Sequence, residues 1–268
     1  MTKRACILAV DTSPGWGGAL TSLATLCGEL DRAGLRVAVA SRAGARLREQ
    51  VPYARNLALP EDDAGAIYGR RYGLRELARA RTLMAACAQL QPRAILANNT
   101  PAANLAAHIC GRACGIPVIQ YVRAGFMPTK TTRVLARNTE HIFAVGRAAA
   151  RTLGSIGARY TPVAEALDPA AWPTARGRTA DGVLWCAALA RWKGLDLALS
   201  AYDALEFADR PKLEICYAPL DQRHPDAGRL PASLPRGAFS SCEPKGLDSI
   251  RASCNIFLHT SLSGEPLA

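Results

Sequence analysis

The chain has 268 residues, 49% of them hydrophobic and 21% charged, which is the makeup of a folded globular protein and excludes collagen-like and disordered classes. No run of 18 apolar residues occurs in the sequence, which excludes a hydropathic spanning helix. The net charge of +11 is uneven: residues 1–160 carry +13 and residues 161–268 carry −2. A basic first half suits an anionic partner, either a phosphate-bearing substrate or an anionic membrane surface. Nucleic acid is not expected, because no recognition motif is present and aromatic residues are only 6%.

Ala5–Val10 is a short apolar run ended by Asp11, read as a buried first strand rather than the apolar stretch of a signal peptide. Gly15-Trp16-Gly17-Gly18 follows, then an apolar-periodic helix from Leu20 to Ala33 that Gly34 closes. Arg36–Ala40 reads as a strand. Arg70–Leu90 reads as a helix with Arg70, Arg71, Arg75, Arg79 and Arg81 on its polar side. Strand Ala94–Ala97, helix Pro101–Cys114, turn Gly115-Ile116-Pro117 and strand Val118–Val122 come next. Helix Lys130–Arg137, strand Ile142–Val145 and helix Ala148–Leu153 complete this half.

Alternation of strands and helices implies parallel pairing, because each crossover helix returns the chain to the same end of the sheet. Residues 1–167 therefore read as a Rossmann-like, doubly wound α/β domain. Residues 168–181 (DPAAWPTARGRTAD) are rich in Pro, Gly and polar groups and read as a linker. The pattern then restarts with strand Gly182–Ala187, helix Gly194–Leu205, strand Lys212–Tyr217, helix Leu247–Ala252 and strand Asn255–His259. Residues 182–268 read as a second unit of the same α/β class. It stops just after a strand and lacks the helix that would cover it, so it is expected to be C-terminally truncated.

The nine cysteines are scattered without a CxxC pair. They read as reduced core thiols of a cytoplasmic protein, and no metal site is expected of them.

Three segments carry candidate chemistry. Gly15–Gly18 follows a strand and opens a helix, where glycines let a ligand approach the backbone and helix N–H groups favour an anion; a plain tight turn is the competing reading. Arg191-Trp192-Lys193-Gly194-Leu195-Asp196 leaves a strand and enters a helix with two cations at the corner. Such a corner is a phosphate clamp on physical grounds, and a solvated basic loop is the alternative. Finally, His259-Thr260-Ser261-Leu262-Ser263-Gly264-Glu265-Pro266 follows a strand and offers hydroxyls and a carboxylate to a sugar.

In this order, on two α/β units, these segments resemble the retaining nucleotide-sugar glycosyltransferases of family 4, which have the GT-B fold. Gly17-Gly18 resembles the family's glycine loop. The segments 98–122 (NNTPAANLAAHICGRACGIPVIQYV) and 143–157 (FAVGRAAARTLGSIG) are similar to its strand–helix–strand segment and to the segment before its linker. Arg191–Asp196 resembles its phosphate loop, and Ser263-Gly264-Glu265-Pro266 the start of its E-x7-E motif.

The resemblance implies transfer of a sugar from a nucleotide-sugar donor to an acceptor hydroxyl with retention of configuration. The acceptor would be a glycan, a lipid-linked molecule or a small molecule, held by the first domain, with the nucleotide sugar held by the second. Stabilising the departing diphosphate is the chief catalytic need. Lys193, with the amides of Gly17 and Gly18, would contact that diphosphate, and Glu265 would face the transferred sugar. No bound metal or other cofactor is implied. A cytoplasmic enzyme of polysaccharide biosynthesis, peripheral to an anionic membrane face, fits this picture; the Arg-rich helix Arg70–Leu90 is the candidate face, and a solvated charged helix is the favoured alternative.

The chain also departs from the family pattern. The usual Arg five residues before the loop Lys is Ala188, and Arg191 is the candidate replacement. The usual His after strand Val118–Val122 is Arg123, which is no base and would serve as an anion contact. The usual Asn-Gly before the linker is Glu165-Ala166, and the second Glu of E-x7-E falls beyond Ala268. These departures raise two alternatives: a non-catalytic module that binds a nucleotide sugar or phosphate, and an interaction protein with a basic face.

Overall fold

The structure is a computed structural model that describes residues 4–13, 18–42, 48–60, 72–165, 182–205, 211–218 and 254–260. The chain divides into two compact units, the first within Met1–Asp168 and the second within Pro169–Ser263. The candidate linker at 168–181 lies outside the described residues.

The first unit is built on seven parallel strands: β1 (Cys6–Asp11), β2 (Arg36–Ser41), β3 (Arg55–Ala58), β4 (Ala94–Asn98), β5 (Val118–Val122), β6 (His141–Val145) and β7 (Thr161–Val163). Their order across the sheet is β3-β2-β1-β4-β5-β6-β7. The order reverses between β1 and β4, and in such sheets ligands gather at the carboxyl ends of the strands flanking that point. Both faces are covered, which is why β1, β2 and β4 are nearly unbroken apolar runs.

Helix α1 (Gly18–Arg32) buries Leu20, Leu23, Ala24 and Cys27 on one face of the sheet. This i, i+3, i+4, i+7 stripe is the one the sequence predicts, and each buried leucine contributes about 2 kcal/mol. On the other face lie α2 (Tyr72–Leu90) and α3 (Leu105–Cys114), packed through Ala80, Leu83, Cys87, Ala106 and Cys110. A buried carboxylate pins these two helices together. Arg79, expected on the polar side, is buried instead: Glu76 on α2 accepts from it and, at 3.0 Å, from the backbone N–H of Ala106 in the first turn of α3. That N–H has no partner within its own helix, so Glu76 does the work of a cap from a neighbouring helix. Helices α4 (Lys130–Arg137) and α5 (Gly146–Ser155) close a further cluster around Val122, Ala136, Ile142 and Leu153.

Two strands lack a sequence expectation. β3 is four residues long and its side chains are half-buried or exposed, so it has no apolar run to read. β7 is Thr161-Pro162-Val163, and a proline inside a strand argues against one unless it lies at a sheet edge, where β7 in fact lies.

The second unit has a parallel sheet of order β10-β8-β9, formed by β8 (Gly182–Ala188), β9 (Leu213–Ala218) and β10 (Cys254–Phe257). Trp185, almost wholly buried, packs with Leu213, Ile215 and the Leu195, Ala198, Leu199 and Tyr202 face of α6 (Leu195–Asp203). The expected helix Leu247–Ala252 lies outside the described residues. Among the described residues all eight cysteines are free thiols, and no helix is long and apolar enough to cross a membrane.

Candidate functional site

Polar side chains in the first unit collect where the strand order reverses. Asp11 ends β1 fully buried. Its carboxylate accepts from the backbone N–H of Ser13 at 2.7 Å and from the side-chain amide of Asn98, which ends β4. Asn98 also donates to the Ala19 carbonyl at 3.1 Å, reaching the start of α1. Asn99 follows in the left-handed region, φ +84°, a conformation that asparagine tolerates better than most residues. Its side chain accepts from Thr100 N–H at 3.0 Å and faces the Ser13 hydroxyl at 3.4 Å. Beneath, Gln120 of β5 donates to the carbonyls of Ala97 (3.0 Å) and Asn99 (2.8 Å) and lies 3.1 Å from His108 of α3. Burial holds the His108 imidazole below its ordinary pKa of 6.5, with the Gln120 contact acting weakly the other way.

Arg123, one residue beyond β5, stands beside this cluster and is only 9% exposed. Its Nη1 donates to the Gly18 carbonyl at 2.7 Å. Its Nε and Nη2 both donate to one oxygen of Glu165, the former at 3.2 Å. The other Glu165 oxygen accepts from the hydroxyl of Ser22 on α1. Gly18 begins α1, and a Cβ added there would meet nothing within 4 Å. Gly17, expected beside it, lies outside the described residues.

The second unit presents the basic corner. After β8 the chain makes a 3-10 turn, Arg191–Lys193, and enters α6 through Gly194 at φ +69°. Glycine is needed here twice over. The positive φ disfavours any other residue, and an added Cβ would overlap the Thr260 carbonyl oxygen. The Thr260 hydroxyl accepts from the Trp185 indole N–H at 3.1 Å and faces the carbonyls of Lys193 (3.0 Å) and Gly194 (2.8 Å), to which it donates. The turn is thus stapled from behind by the segment after β10. Arg191 is exposed, Lys193 is half-buried, and the Lys193 ammonium lies 4.2 Å from the centre of the Trp192 ring. Asp196 sits in the first turn of α6, as the macrodipole favours.

Of the expected site residues, Arg123 and Gly18 come together in the first unit, and Arg191 and Lys193 in the second. Glu265 lies outside the described residues. Sequence reasoning did not single out Asp11, Asn98, Ser22 or Glu165 as a connected network. It noticed Arg123 and Glu165 separately as departures of opposite charge, and that opposition was the available signal. Thr260 was expected to offer its hydroxyl to a sugar, whereas here the hydroxyl serves the loop backbone. Among the described residues no group of three His, Cys, Asp or Glu side chains is placed to hold a metal ion.

Residues 16–164, more than half the chain, match Glycosyltransferase Family 4. Among solved structures, a glycosyltransferase from Rickettsia africae ESF-5 superposes with a TM-score of 0.70 at 11% identity, covering 98% of this chain and 74% of that one. Anabaena HepE in complex with UDP gives 0.64 at 16% identity, covering 98% and 76%. Sucrose-phosphate synthase from Thermosynechococcus elongatus gives 0.70 at 12% identity, covering 99% and 77%. At such identities the likeness is one of fold, here GT-B, and the chain spans about three quarters of those proteins' length. No curated protein sequence matches the chain significantly.

Proposed function

Because the chain belongs to glycosyltransferase family 4, we propose that it transfers a sugar from a nucleotide-sugar donor to an acceptor hydroxyl with retention at the anomeric carbon. The observation that carries this reading is the corner at Arg191–Leu195. It combines a strand end, a left-handed glycine, a helix N-terminus and two cations in one short segment. A departing nucleoside diphosphate is an anion that develops charge as the glycosidic bond breaks. A lysine ammonium and oriented N–H groups answer that charge without reorganising. Lys193 is the diphosphate contact, and Arg191 supports it. The acceptor is a glycan, a lipid-linked molecule or a small molecule. The site of action is cytoplasmic, in peripheral contact with an anionic membrane face.

Replacing Lys193 with alanine is expected to cut transfer by about 100-fold or more while the melting temperature stays nearly unchanged, because the side chain is only half-buried. The measurement is release of UDP or GDP from a panel of nucleotide sugars, with and without acceptor. Turnover equal to wild type in the variant would remove Lys193 from the site.

One observation favours the second reading, a non-catalytic nucleotide-sugar-binding module: Arg123 stands where the family places a His, and its donors go to Glu165 and Gly18. Binding of a nucleotide sugar without transfer or hydrolysis would select that reading.

A further inference from the structure

We infer that Arg123 and Glu165 are a positioning pair: together they hold the first turn of α1 against the carboxyl ends of the central strands. Both residues stand where the chain departs from the pattern that the resemblance implies, and in the structure each is the other's partner. Both side chains are close to fully buried, at 11% and 10% exposure.

The contacts divide cleanly. Two guanidinium nitrogens of Arg123 go to Glu165, and the third goes to the Gly18 carbonyl. The second oxygen of Glu165 goes to Ser22. Gly18 and Ser22 are four residues apart on α1, so the pair grips one face of the helix over a full turn. Asn98, from the end of β4, adds the Ala19 carbonyl between them.

Burial makes the arrangement cooperative. Two charges taken out of water are tolerated only when each has the other, and here three Arg123 N–H groups and both Glu165 oxygens are engaged. Removing one leaves a buried charge unpaired, whereas removing both leaves only neutral groups. An incoming anion would meet a guanidinium already neutralised at contact distance. Arg123 is therefore a positioning residue, not the anion contact that the resemblance implies. The consequence for donor binding rests on the family-4 reading; the grip on α1 does not.

The test uses the full chain and four variants: Glu165→Gln, Arg123→Gln, the two combined, and Ser22→Ala, which keeps both charges. Hydrogen exchange is read at the amides of residues 22–26, whose N–H groups bond to the first-turn carbonyls. Each single charge variant is expected to speed exchange there by about ten-fold or more with β1 and β4 unchanged, and the double variant to exchange more slowly than either single. Wild-type exchange in Glu165→Gln, or singles whose effects simply add in the double, would overturn the proposal. If the single charge variants do not fold, Ser22→Ala decides it: faster exchange over 22–26 supports the pair, and unchanged exchange overturns it.

Calorimetry with UDP separates positioning from direct contact. A positioning pair weakens UDP equally in both singles and recovers in the double. A direct anion contact would leave or tighten UDP in Glu165→Gln and lose it in Arg123→Gln and in the double, which would overturn the proposal. If wild type binds no UDP, the exchange pattern alone decides the pair.

Discussion

The chain enters a helix from a strand end at two places that matter, and it secures them by opposite means. The first turn of α1 is held by side chains: Asn98, Arg123 and Glu165, from three strand ends, converge on Gly18, Ala19 and Ser22. The corner before α6 is held through its backbone. Gly194 turns left-handed, and Thr260 takes up the carbonyls of Lys193 and Gly194. The difference decides what each place leaves over for a ligand. Side-chain clamping consumes the cation at Arg123. Backbone clamping leaves Arg191 exposed and Lys193 half-buried, its ammonium over the Trp192 ring.

The contrast can be broken most sharply at the glycines. Gly194→Ala is expected to cost about 3 kcal/mol, because the new Cβ meets both an unfavourable φ and the Thr260 carbonyl; urea unfolding measures it. Thr260→Val removes the hydroxyl but keeps the shape, so the Trp185 indole N–H loses its acceptor at Thr260 and the Lys193 and Gly194 carbonyls lose the hydroxyl contact. About 1–2 kcal/mol should be lost, read in the same experiment, with little effect on hydrogen exchange over α1. Gly18→Ala should run the other way and raise stability by about 0.5 kcal/mol, since a Cβ there meets nothing and glycine is the poorer helix former. Should this stabilised variant also bind UDP more weakly, glycine at 18 is required by a ligand and not by the fold.

The smallest effect is one of pH. His108 is buried with its pKa below the ordinary 6.5, so the unfolded chain takes up its proton at a higher pH than the folded one. Its contribution is complete above about pH 6.5 and is lost as pH falls below that value. The melting temperature of wild type should therefore drop between pH 7 and 5 more steeply than that of His108→Gln. Equal slopes would show that His108 plays no part.

Much of this architecture was legible in the residues. Apolar runs as short as Ala94–Ala97 and helical stripes such as Leu20–Cys27 are local periodicities, and covered parallel sheets are made of such pieces. The corner at Arg191–Asp196 was legible because strand end, glycine and cations are consecutive. The edge strands were not: β3 has no buried face to imprint a pattern, and β7 hides a proline that only its edge position permits.

By itself, then, the sequence determined the alternation of elements, the parallel sheets that follow from it and the residues of the basic corner, because each depends on neighbours a few residues apart. Only the tertiary structure decided that Arg123 would meet Glu165 across 42 residues and that Thr260 would brace Gly194 across 66. A lone Arg and a lone Glu carry the same local signal whether they face water, a ligand or each other. Which of these holds is set by strand order and burial, since a charge excluded from water must take whatever partner the fold brings within reach.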